Sequence, residues 1–222
     1  HPQALLQQAD LAMYQAKQKG RNTYHFFSSD LNEKVSQHLS IRNELQRALV
    51  EGQFELHYQP QVHGPSGRIL GFEALLRWKH PQKGYLSPAY FIDIAESTGQ
   101  IVPISDWVLE TACRANKRLN ELGHEPYVMS VNVSPLQFQR SCFVPEVLQV
   151  IESTGLDASL LELELTENIL MGSTDNVIET LHEIRSHGIG IAIDDFGTGF
   201  SSLSYLKYLP INKIKIDRSF IK

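Results

Sequence analysis

Residues 189–200 read Ile-Gly-Ile-Ala-Ile-Asp-Asp-Phe-Gly-Thr-Gly-Phe, an apolar strand pattern that ends in two aspartates and a glycine-containing loop. Side chains alternate across a strand, so Gly190, Ala192 and Asp194 share one face and the isoleucines share the other. The adjacent carboxylates of Asp194 and Asp195 repel each other, and a divalent cation would offset that repulsion. A solvated Asp turn is the simpler alternative for an isolated pair. The rest of the chain decides between these interpretations.

Five further segments divide in the same way into a polar or small face and an apolar face. They are Phe54–Gln61, Leu70–Trp78, Tyr127–Ser134, Leu161–Thr166 and Lys213–Asp217. An antiparallel sheet with one face in water would show the same alternation. The connections between the later strands argue against that simple sheet.

Helical patterns separate the later strands: Pro88–Gly99, Ile104–Leu122, Pro145–Gly155 and Thr174–Gly188. Crossovers of this length favour parallel strands with helices over the apolar face. The polar face then points into a barrel interior, toward an active site at the carboxyl ends of the strands. Only residues 62–67 separate the first two strands, so we expect these two to form an antiparallel hairpin.

The whole pattern predicts an α/β fold, a TIM-like (β/α)₈ barrel with one antiparallel strand. About six strands are present, and a complete barrel has about two more with their helices. The missing strands would leave an open sheet edge with unpaired backbone groups. We therefore expect the chain to be an incomplete domain that is poorly stable by itself.

The composition excludes several classes of protein. The chain has 222 residues and a formal net charge of −5, which argues against a nucleic acid polymer as partner. The cysteines, Cys113 and Cys142, form no disulfide framework, and no H-x-x-x-H pair indicates zinc. No apolar run approaches the ~18 residues that span a bilayer. We expect a cytoplasmic segment without membrane contact, in a parent protein whose anchor, if it has one, lies upstream.

The amino-terminal part of the chain predicts a separate unit. Residues 4–19 have a helical pattern, and Thr23–Phe27 is short and strand-like. A pair this small does not fold alone. We therefore expect residues 1–28 to be the remnant of an upstream domain and residues 29–51 to be a connector helix. Residues 52–222 would form the main domain, truncated at its carboxyl end.

Polar side chains on four different strands form a candidate metal site: Glu73, Asn132, Glu164 and Asp194, with Asp195 directly following. A salt-bridged surface group is the simpler interpretation of any one of them, but agreement among the strands favours a shared site. Hard oxygen ligands suit Mg²⁺ or Mn²⁺ better than zinc. Paired aspartates can also flank two metals in a displacement at phosphorus. Lys215, one strand further on, is placed to orient a water or to stabilise phosphoryl charge.

The motifs around these residues resemble those of the EAL-domain cyclic di-GMP phosphodiesterases. Residues 73–77, Glu-Ala-Leu-Leu-Arg, are similar to the E-A-L and E-x-L-x-R signature of that family. The resemblance covers about residues 40–222, and its motifs stand in the family's order. The other matching segments are Tyr58–Pro60, Ser130–Ser134, Glu164–Glu167, Asp194–Leu203 and Lys215–Asp217.

The resemblance implies hydrolysis of cyclic di-GMP to linear pGpG with Mg²⁺ or Mn²⁺, two ions being expected. It also implies that the metal ligands are Glu73, Asn132, Glu164 and Asp194, with Asp195 at the second ion. The loop after Asp195, which contains Gly197 and Gly199, would support a homodimer and couple it to metal binding.

The same resemblance implies roles for further residues. Lys215 would position the attacking water, Glu167 would hold the loop after Asp195, and Asp217 would lie beside the metals. The implied contacts to the substrate are Gln59, Leu75 and Arg77, the last through its fork of donors to a phosphate. Simpler roles stay open for two of them, because Glu167 is also suited to a helix amino terminus and Gln59 to filling the barrel.

Residues 9–17 and 20–22 resemble the end of a GGDEF diguanylate cyclase domain, although no G-G-D-E-F string is present. The parent is therefore expected to be a tandem GGDEF–EAL protein. The family's E-G-V-E segment, expected on the seventh strand, is not among the 222 residues. We therefore expect little activity from this chain alone.

Two other functions are compatible with the sequence. The domain could be a catalytically inactive receptor for cyclic di-GMP, but such receptors usually lose metal ligands or the E-A-L string, and both are present. An unrelated metal-dependent barrel, such as an aldolase, would require the motif matches to be coincidental. A glutamate in an E-G-V-E-like strand beyond residue 222 would favour the enzyme over the receptor.

Overall fold

The computed structural model describes residues 29–123, 126–170, 174–197 and 209–220, together with residues 206 and 207 and isolated positions before residue 29. The predicted remnant over residues 1–28 therefore lies largely outside the described residues. The described positions of its predicted helix are helical, whereas those of the predicted strand over residues 23–27 are irregular. The strand prediction is wrong at those positions, because a lone strand without a neighbour leaves its backbone groups unpaired.

Seven strands of the described chain form one sheet. They are β1 (Phe54–Val62), β2 (Ile69–His80), β3 (Gly84–Leu86), β4 (Val128–Val133), β5 (Leu161–Thr166), β6 (Gly190–Phe196) and β7 (Lys213–Ile216). The order across the sheet is β1-β2-β4-β5-β6-β7, and β3 pairs with the far end of β2. β1 and β3 run antiparallel to β2, and the remaining neighbours are parallel.

The predicted hairpin and the parallel series are thus confirmed. The three-residue β3 was missed, since so short a strand carries no alternation that a pattern can detect.

Helices cover the apolar face of this sheet. They are α1 (Ser29–Val50), α2 (Ile92–Ser97), α3 (Ile101–Asn120), α4 (Pro135–Phe138), α5 (Phe143–Thr154), α6 (Glu167–Leu170) and α7 (Thr174–Ser186). Short 3₁₀ turns lie at Pro88–Tyr90, Ala158–Leu160 and Arg218–Phe220. No helix in the described part of the chain is both long enough and apolar enough to cross a bilayer.

Two helices begin earlier than predicted, and both contain a proline. α3 starts at Ile101 with Pro103 in its first turn, and α5 starts at Phe143 with Pro145 in its first turn. A proline is tolerated there, because the N–H groups of the first turn have no intrahelical acceptor. The helix predicted over Pro88–Gly99 is instead a 3₁₀ turn followed by α2.

The hydrophobic core lies between the sheet and the helices. The outward side chains of the parallel strands, such as Leu163, Ile191 and Ile193, are fully buried against it. An aromatic group of Phe54, Trp78 and Phe91 closes one end, with ring centroids 5.4 to 6.0 Å apart. Full burial of each such side chain contributes about 1.5–3 kcal/mol, so the apolar alternation of the strands is what holds helices and sheet together.

The predicted connector helix is α1, and its second half is part of this core. Ile41, Leu45 and Ala48 are buried. The Gln100 side-chain amide donates to the Arg42 carbonyl oxygen over 3.1 Å. This half of α1 therefore packs as a component of the domain.

The sheet curls strongly about its polar face. Lys213 Nζ on β7 lies 3.1 Å from Gln61 Oε1 on β1, and Lys215 Nζ lies 3.1 Å from Glu73 Oε2 on β2. β7 is at one end of the strand order, whereas β1 and β2 are the two strands at the other end, so their side chains meet only across an enclosed interior. In the described residues no ladder joins β1 to β7. The fold is the TIM-like α/β barrel that the alternation predicts, with an open side.

Candidate functional site

Three carboxylates and an amide meet inside the barrel, toward the carboxyl ends of the parallel strands. Oxygens of Glu73 (β2), Glu164 (β5) and Asp194 (β6) all lie within 4.8 Å of one another. The Asn132 side chain on β4 donates through Nδ2 to Glu73 Oε1 over 2.9 Å. Alternation places each of these side chains on the inner face, and the curl of the sheet then brings them together. The structure therefore assembles four of the five predicted metal ligands in one cluster.

The Lys215 ammonium occupies the centre of this cluster. Its Nζ lies 2.6 Å from Glu164 Oε2 and 3.1 Å from both Glu73 Oε2 and Asp194 Oδ1. Burial acts to lower the pKa of Lys215, but the hydrogen bond and attraction to Glu164, with Glu73 and Asp194, outweigh it and raise that pKa. The lysine is thus held charged, one cation among three carboxylates.

Glu164 is the most buried member of the cluster, with 1% of the residue exposed. Burial raises its pKa to about 7; Lys215 opposes the shift, while the charges of Glu73 and Asp194 reinforce it. An additional positive charge near this carboxylate would stabilise its ionised form. The three carboxylates supply the hard oxygen atoms that suit Mg²⁺ or Mn²⁺. The Asn132 amide, which directs Nδ2 at Glu73 here, also carries an oxygen of that kind.

A β-bulge separates Asp194 from Asp195. Ile193 pairs with Ile214, but Phe196 pairs with Ile216, so β6 contains one extra residue at this point. Asp195 has φ 52°, in the left-handed region that aspartate tolerates better than most residues. Bulges re-aim side chains next to active sites. The alternation of side chains along the strand, which places Asp194 on the inner face, therefore does not predict the direction of the Asp195 side chain.

Asp195 lies at the margin of the cluster. Among the described carboxylates, the set within 4.8 Å comprises Glu73, Glu164 and Asp194 and does not include Asp195. Burial raises the pKa of Asp195, and the charges of Asp194 and Asp217 raise it further. Asp217, which follows β7, has its pKa lowered by the hydrogen bond from the Ser219 side chain and by the one from the Ser219 backbone N–H, 2.8 Å long. The two aspartates are therefore electrostatic neighbours beside the main cluster.

Glu167 connects the end of β5 to the segment that follows the bulge. It is the first residue of α6 and is buried, with 3% exposed. Its Oε2 accepts the backbone N–H of Gly197 over 3.0 Å. Residues 198–205, which contain most of the loop predicted to support a dimer, lie outside the described residues.

The three predicted substrate contacts lie along β1 and β2. Gln59 is exposed and pairs in register with Glu73. Leu75 and Asn132 line a largely apolar cavity of about 270 Å³. Arg77 donates through Nη1 to the Leu76 carbonyl oxygen over 2.8 Å. Leu75 and Gln59 are thus next to the acidic cluster, and Arg77 lies further along the strand.

A second polar layer lies beneath the cluster and was missed in the sequence. Lys213 Nζ is 2.6 Å from Glu162 Oε1, and Ser130 Oγ donates to the same oxygen over 2.7 Å. Gln61 completes the layer through its contacts with Lys213 and Ser130. The available signal was alternation, because Ser130, Glu162 and Lys213 each stand two positions before a residue of the upper cluster.

Comparison with known proteins gives consistent matches. A family model described as EAL domain matches residues 42–222. The chain is 46% identical over 217 residues to the bifunctional diguanylate cyclase/cyclic di-GMP phosphodiesterase MucR of Pseudomonas aeruginosa, covering 98% of this chain and 32% of that protein. It is 45% identical over 217 residues to the cyclic di-GMP phosphodiesterase NbdA of the same organism, covering 98% of this chain and 28% of that protein. The chain thus spans about a third of the length of these curated relatives.

A solved structure described as the PaMucR phosphodiesterase in complex with c-di-GMP matches with a TM-score of 0.80 and 45% identity. The match covers 82% of this chain and 74% of that chain. The fold found here is therefore shared with a structure whose description names the dinucleotide.

Proposed function

This chain belongs to the EAL domain family, and from that membership we propose that it hydrolyses one phosphodiester bond of cyclic di-GMP to give linear pGpG. The observation that carries the proposal is the meeting of Glu73, Glu164 and Asp194, from three strands, around the Lys215 ammonium. MucR and NbdA, which are at least 45% identical to this chain over the matched region, are both named as cyclic di-GMP phosphodiesterases.

Mg²⁺ or Mn²⁺ fits the donor set of the cluster. We propose Glu73, Asn132, Glu164 and Asp194 as its ligands, with Asp195 beside a second ion. When bound, such a metal supplies Lewis-acid stabilisation of phosphoryl charge and lowers the pKa of a bound water.

The protein residues would orient the reactants. Lys215, whose ammonium contacts Glu73, Glu164 and Asp194 in this structure, would position the attacking water and stabilise phosphoryl charge. Glu167 would keep the segment after Asp195 in place through its bond to Gly197. Asp217, next to Asp195, would complete the acidic margin of the site.

Substrate contacts would come from β1 and β2. Gln59 lies beside Glu73 in register, and Leu75 presents an apolar wall close to Asn132. Arg77 carries the fork of N–H donors that matches a phosphate. We propose these three residues as contacts to the dinucleotide.

The similarity to MucR also supports a proposal for the domain organisation of the chain. The match to MucR covers 98% of the chain and so extends upstream of residue 42, where the EAL match begins. This supports residues 1–28 as the tail of a GGDEF domain, residues 29–51 as the connector and residues 52–222 as the EAL domain. We further propose a cytoplasmic location and a homodimer through the loop after Asp195.

A receptor that binds cyclic di-GMP without cleaving it is the second candidate. It is less well supported, because the acidic cluster and the Glu73-Ala-Leu sequence are intact. The two candidates differ in product, since only the enzyme releases pGpG.

The decisive experiment incubates the complete EAL domain with cyclic di-GMP and Mg²⁺ or Mn²⁺ and measures pGpG by chromatography. We expect turnover that a chelator abolishes, and little turnover from residues 1–222 alone. Glu73→Ala removes one oxygen ligand and the acceptor of Asn132, and we expect a loss of kcat of roughly 10²–10³-fold, the range for removing one key electrostatic group. Glu152→Ala, at an exposed position of α5, should retain wild-type turnover. Binding of the dinucleotide without pGpG in the wild type would favour the receptor.

A further inference from the structure

We propose that Gln61 is a positioning residue for Glu164, and that the Lys213–Glu162 ion pair beneath it sets the orientation of the Gln61 amide. The proposal rests on the proposed function, because it concerns a carboxylate assigned to the metal. It adds a second layer of residues, drawn from β1, β4, β5 and β7, to the machinery of the site.

The orientation of the Gln61 amide follows from its neighbours. Lys213 Nζ lies 3.1 Å from Gln61 Oε1. An ammonium group can only donate hydrogen bonds, so the amide oxygen must face it. The amide nitrogen then points the opposite way, 3.1 Å from Ser130 Oγ and 3.5 Å from Glu164 Oε1.

The roles of the other donors agree with this orientation. The Ser130 hydroxyl donates to Glu162 Oε1 over 2.7 Å, which leaves its oxygen lone pairs for the Gln61 N–H. Glu162 accepts from both Ser130 and Lys213 and is 5% exposed. Lys213, Glu162, Ser130 and Gln61 therefore form a closed ring of four hydrogen bonds, and these bonds fix the direction of the amide.

Glu164 receives a different partner at each carboxylate oxygen. Oε2 accepts from Lys215 over 2.6 Å, and Oε1 faces Gln61 Nε2. Among the described hydrogen bonds, these are the two that reach Glu164. At 3.5 Å the contact with Gln61 is longer than an ordinary N–H···O bond, so it acts by orienting the carboxylate and by its partial charge. Replacing a residue that hydrogen-bonds to a metal ligand typically lowers metal affinity or activity about 10–100-fold.

A purely structural role, filling the barrel and joining its first and last strands, is the competing account. The two accounts predict different metal affinities for variants of Gln61. A filler changes the stability of the fold when it is replaced, whereas a positioning residue also changes the dissociation constant of the metal.

The first test replaces Gln61 by Met, which has similar volume and no amide. Mn²⁺ binding is measured by titration calorimetry, and folding is checked by circular dichroism. We expect Kd for Mn²⁺ to rise about 10-fold, with most of the lost turnover restored at saturating metal and KM for cyclic di-GMP unchanged. Gln149→Met, on the exposed side of α5, is the matched control and should bind Mn²⁺ as the wild type does. Gln61→Asn keeps the amide but shortens it, and should weaken binding in the same direction.

The second test removes the ion pair as a unit. Replacing Lys213 alone would leave the buried Glu162 carboxylate unpaired, so Lys213→Met is combined with Glu162→Gln. We expect this variant to weaken Mn²⁺ binding to the same extent as Gln61→Met. Adding Gln61→Met to it should give no further loss, because residues that act through one contact are not additive.

The outcomes separate this inference from the proposed function. Wild-type Kd for Mn²⁺ in folded Gln61→Met, with or without a lower melting temperature, overturns the inference and leaves the phosphodiesterase assignment intact. Fully additive losses in the combined variant overturn the link from the ion pair to Gln61. Absence of pGpG from a wild type that binds Mn²⁺ counts against the proposed function alone. A wild type that does not bind Mn²⁺ contradicts both.

Discussion

At the scale of the single residue, Glu164 concentrates the electrostatic conflict of the site. It is buried between two other carboxylates, and its one strong partner is the Lys215 ammonium over 2.6 Å. The protonated form of a carboxyl group is favoured by such an environment. The burial of Glu164 is therefore compensated either by a cation next to the carboxylate or by protonation of the carboxyl group.

This conflict predicts a pH dependence of stability when a chelator is present. The pKa of Glu164 is raised from 4.5 to about 7 in the fold, so the folded state binds the proton more tightly than the unfolded state. Its stabilising contribution is complete below pH 4.5 and is lost as the pH rises through about 7. We expect Glu164→Gln to show a smaller fall in the free energy of unfolding between pH 4.5 and 7 than the wild type, measured by urea titration.

The matched control for this measurement is Glu152→Gln at an exposed position, which should follow the wild type. Identical pH slopes for the wild type and Glu164→Gln would contradict the assignment. Metal binding should show the opposite trend and strengthen with pH, because the metal competes with the proton for the same oxygen.

At the scale of the element, α1 is attached to the strand that carries Glu73. His80, at the end of β2, is 5% exposed. Its Nδ1 accepts the backbone N–H groups of Gln82 and Lys83 over 3.1 and 3.2 Å, so the ring hydrogen lies on Nε2 and is donated to Glu44 Oε2 over 3.1 Å. This contact therefore links α1 to the end of β2, in addition to the buried face of the helix.

We expect Glu44→Ala to lower the free energy of unfolding by about 1–3 kcal/mol, because it leaves the buried Nε2–H of His80 without its acceptor. Chemical denaturation checks the value. Glu51→Ala, at the residue that follows α1, is the control, since its salt bridge to Arg47 is exposed and such pairs contribute about 0.2–1 kcal/mol. Equal effects for the two substitutions would show that Glu44 is an ordinary surface residue.

The bulge of β6 shows how an element can depart from its own pattern. Asp194 keeps the inward direction of the strand, whereas Asp195 adopts φ 52° and leaves it. Glu167, from the neighbouring α6, then bonds to Gly197 immediately after the bulge. The two adjacent aspartates are therefore separated by backbone geometry into a member of the cluster and a residue at its margin.

At the scale of the whole molecule, the site is built from residues of five different strands. β2, β4, β5 and β6 each contribute a proposed metal ligand, and β7 contributes Lys215. A ligand that binds only the folded state stabilises it by mass action, about 2.7 kcal/mol at a concentration 100 times Kd. The metal should accordingly act on the stability of the complete barrel.

We therefore expect Mg²⁺ or Mn²⁺ to raise the melting temperature of the protein in a concentration-dependent manner, measured by calorimetry. Glu73→Ala should abolish this rise, while Glu152→Ala should retain it. A rise of equal size in Glu73→Ala would place the metal elsewhere. This readout does not depend on hydrolysis and so tests the cluster as a binding site only.

Much of this architecture could be predicted from local pattern. The alternation of six segments identified the six strands of the barrel and their inner faces, and the short turn at residues 62–67 identified the antiparallel hairpin. The early starts of α3 and α5 were missed because a proline indicates a boundary without showing that the first turn can precede it. The strand β3 was missed because three residues define no period.

The sequence by itself determined which side chains face the interior, because facing depends only on the backbone of each strand. It thereby identified Glu73, Asn132, Glu164 and Asp194 as one set. Only the tertiary structure decided which of the inward side chains touch. Lys215 contacts Glu73, 142 residues away in the sequence, and Lys213 contacts Gln61, 152 residues away. Both contacts depend on the curl of the sheet and on the stagger of its strands. Those are properties of the assembled barrel, and no single segment of the chain contains them.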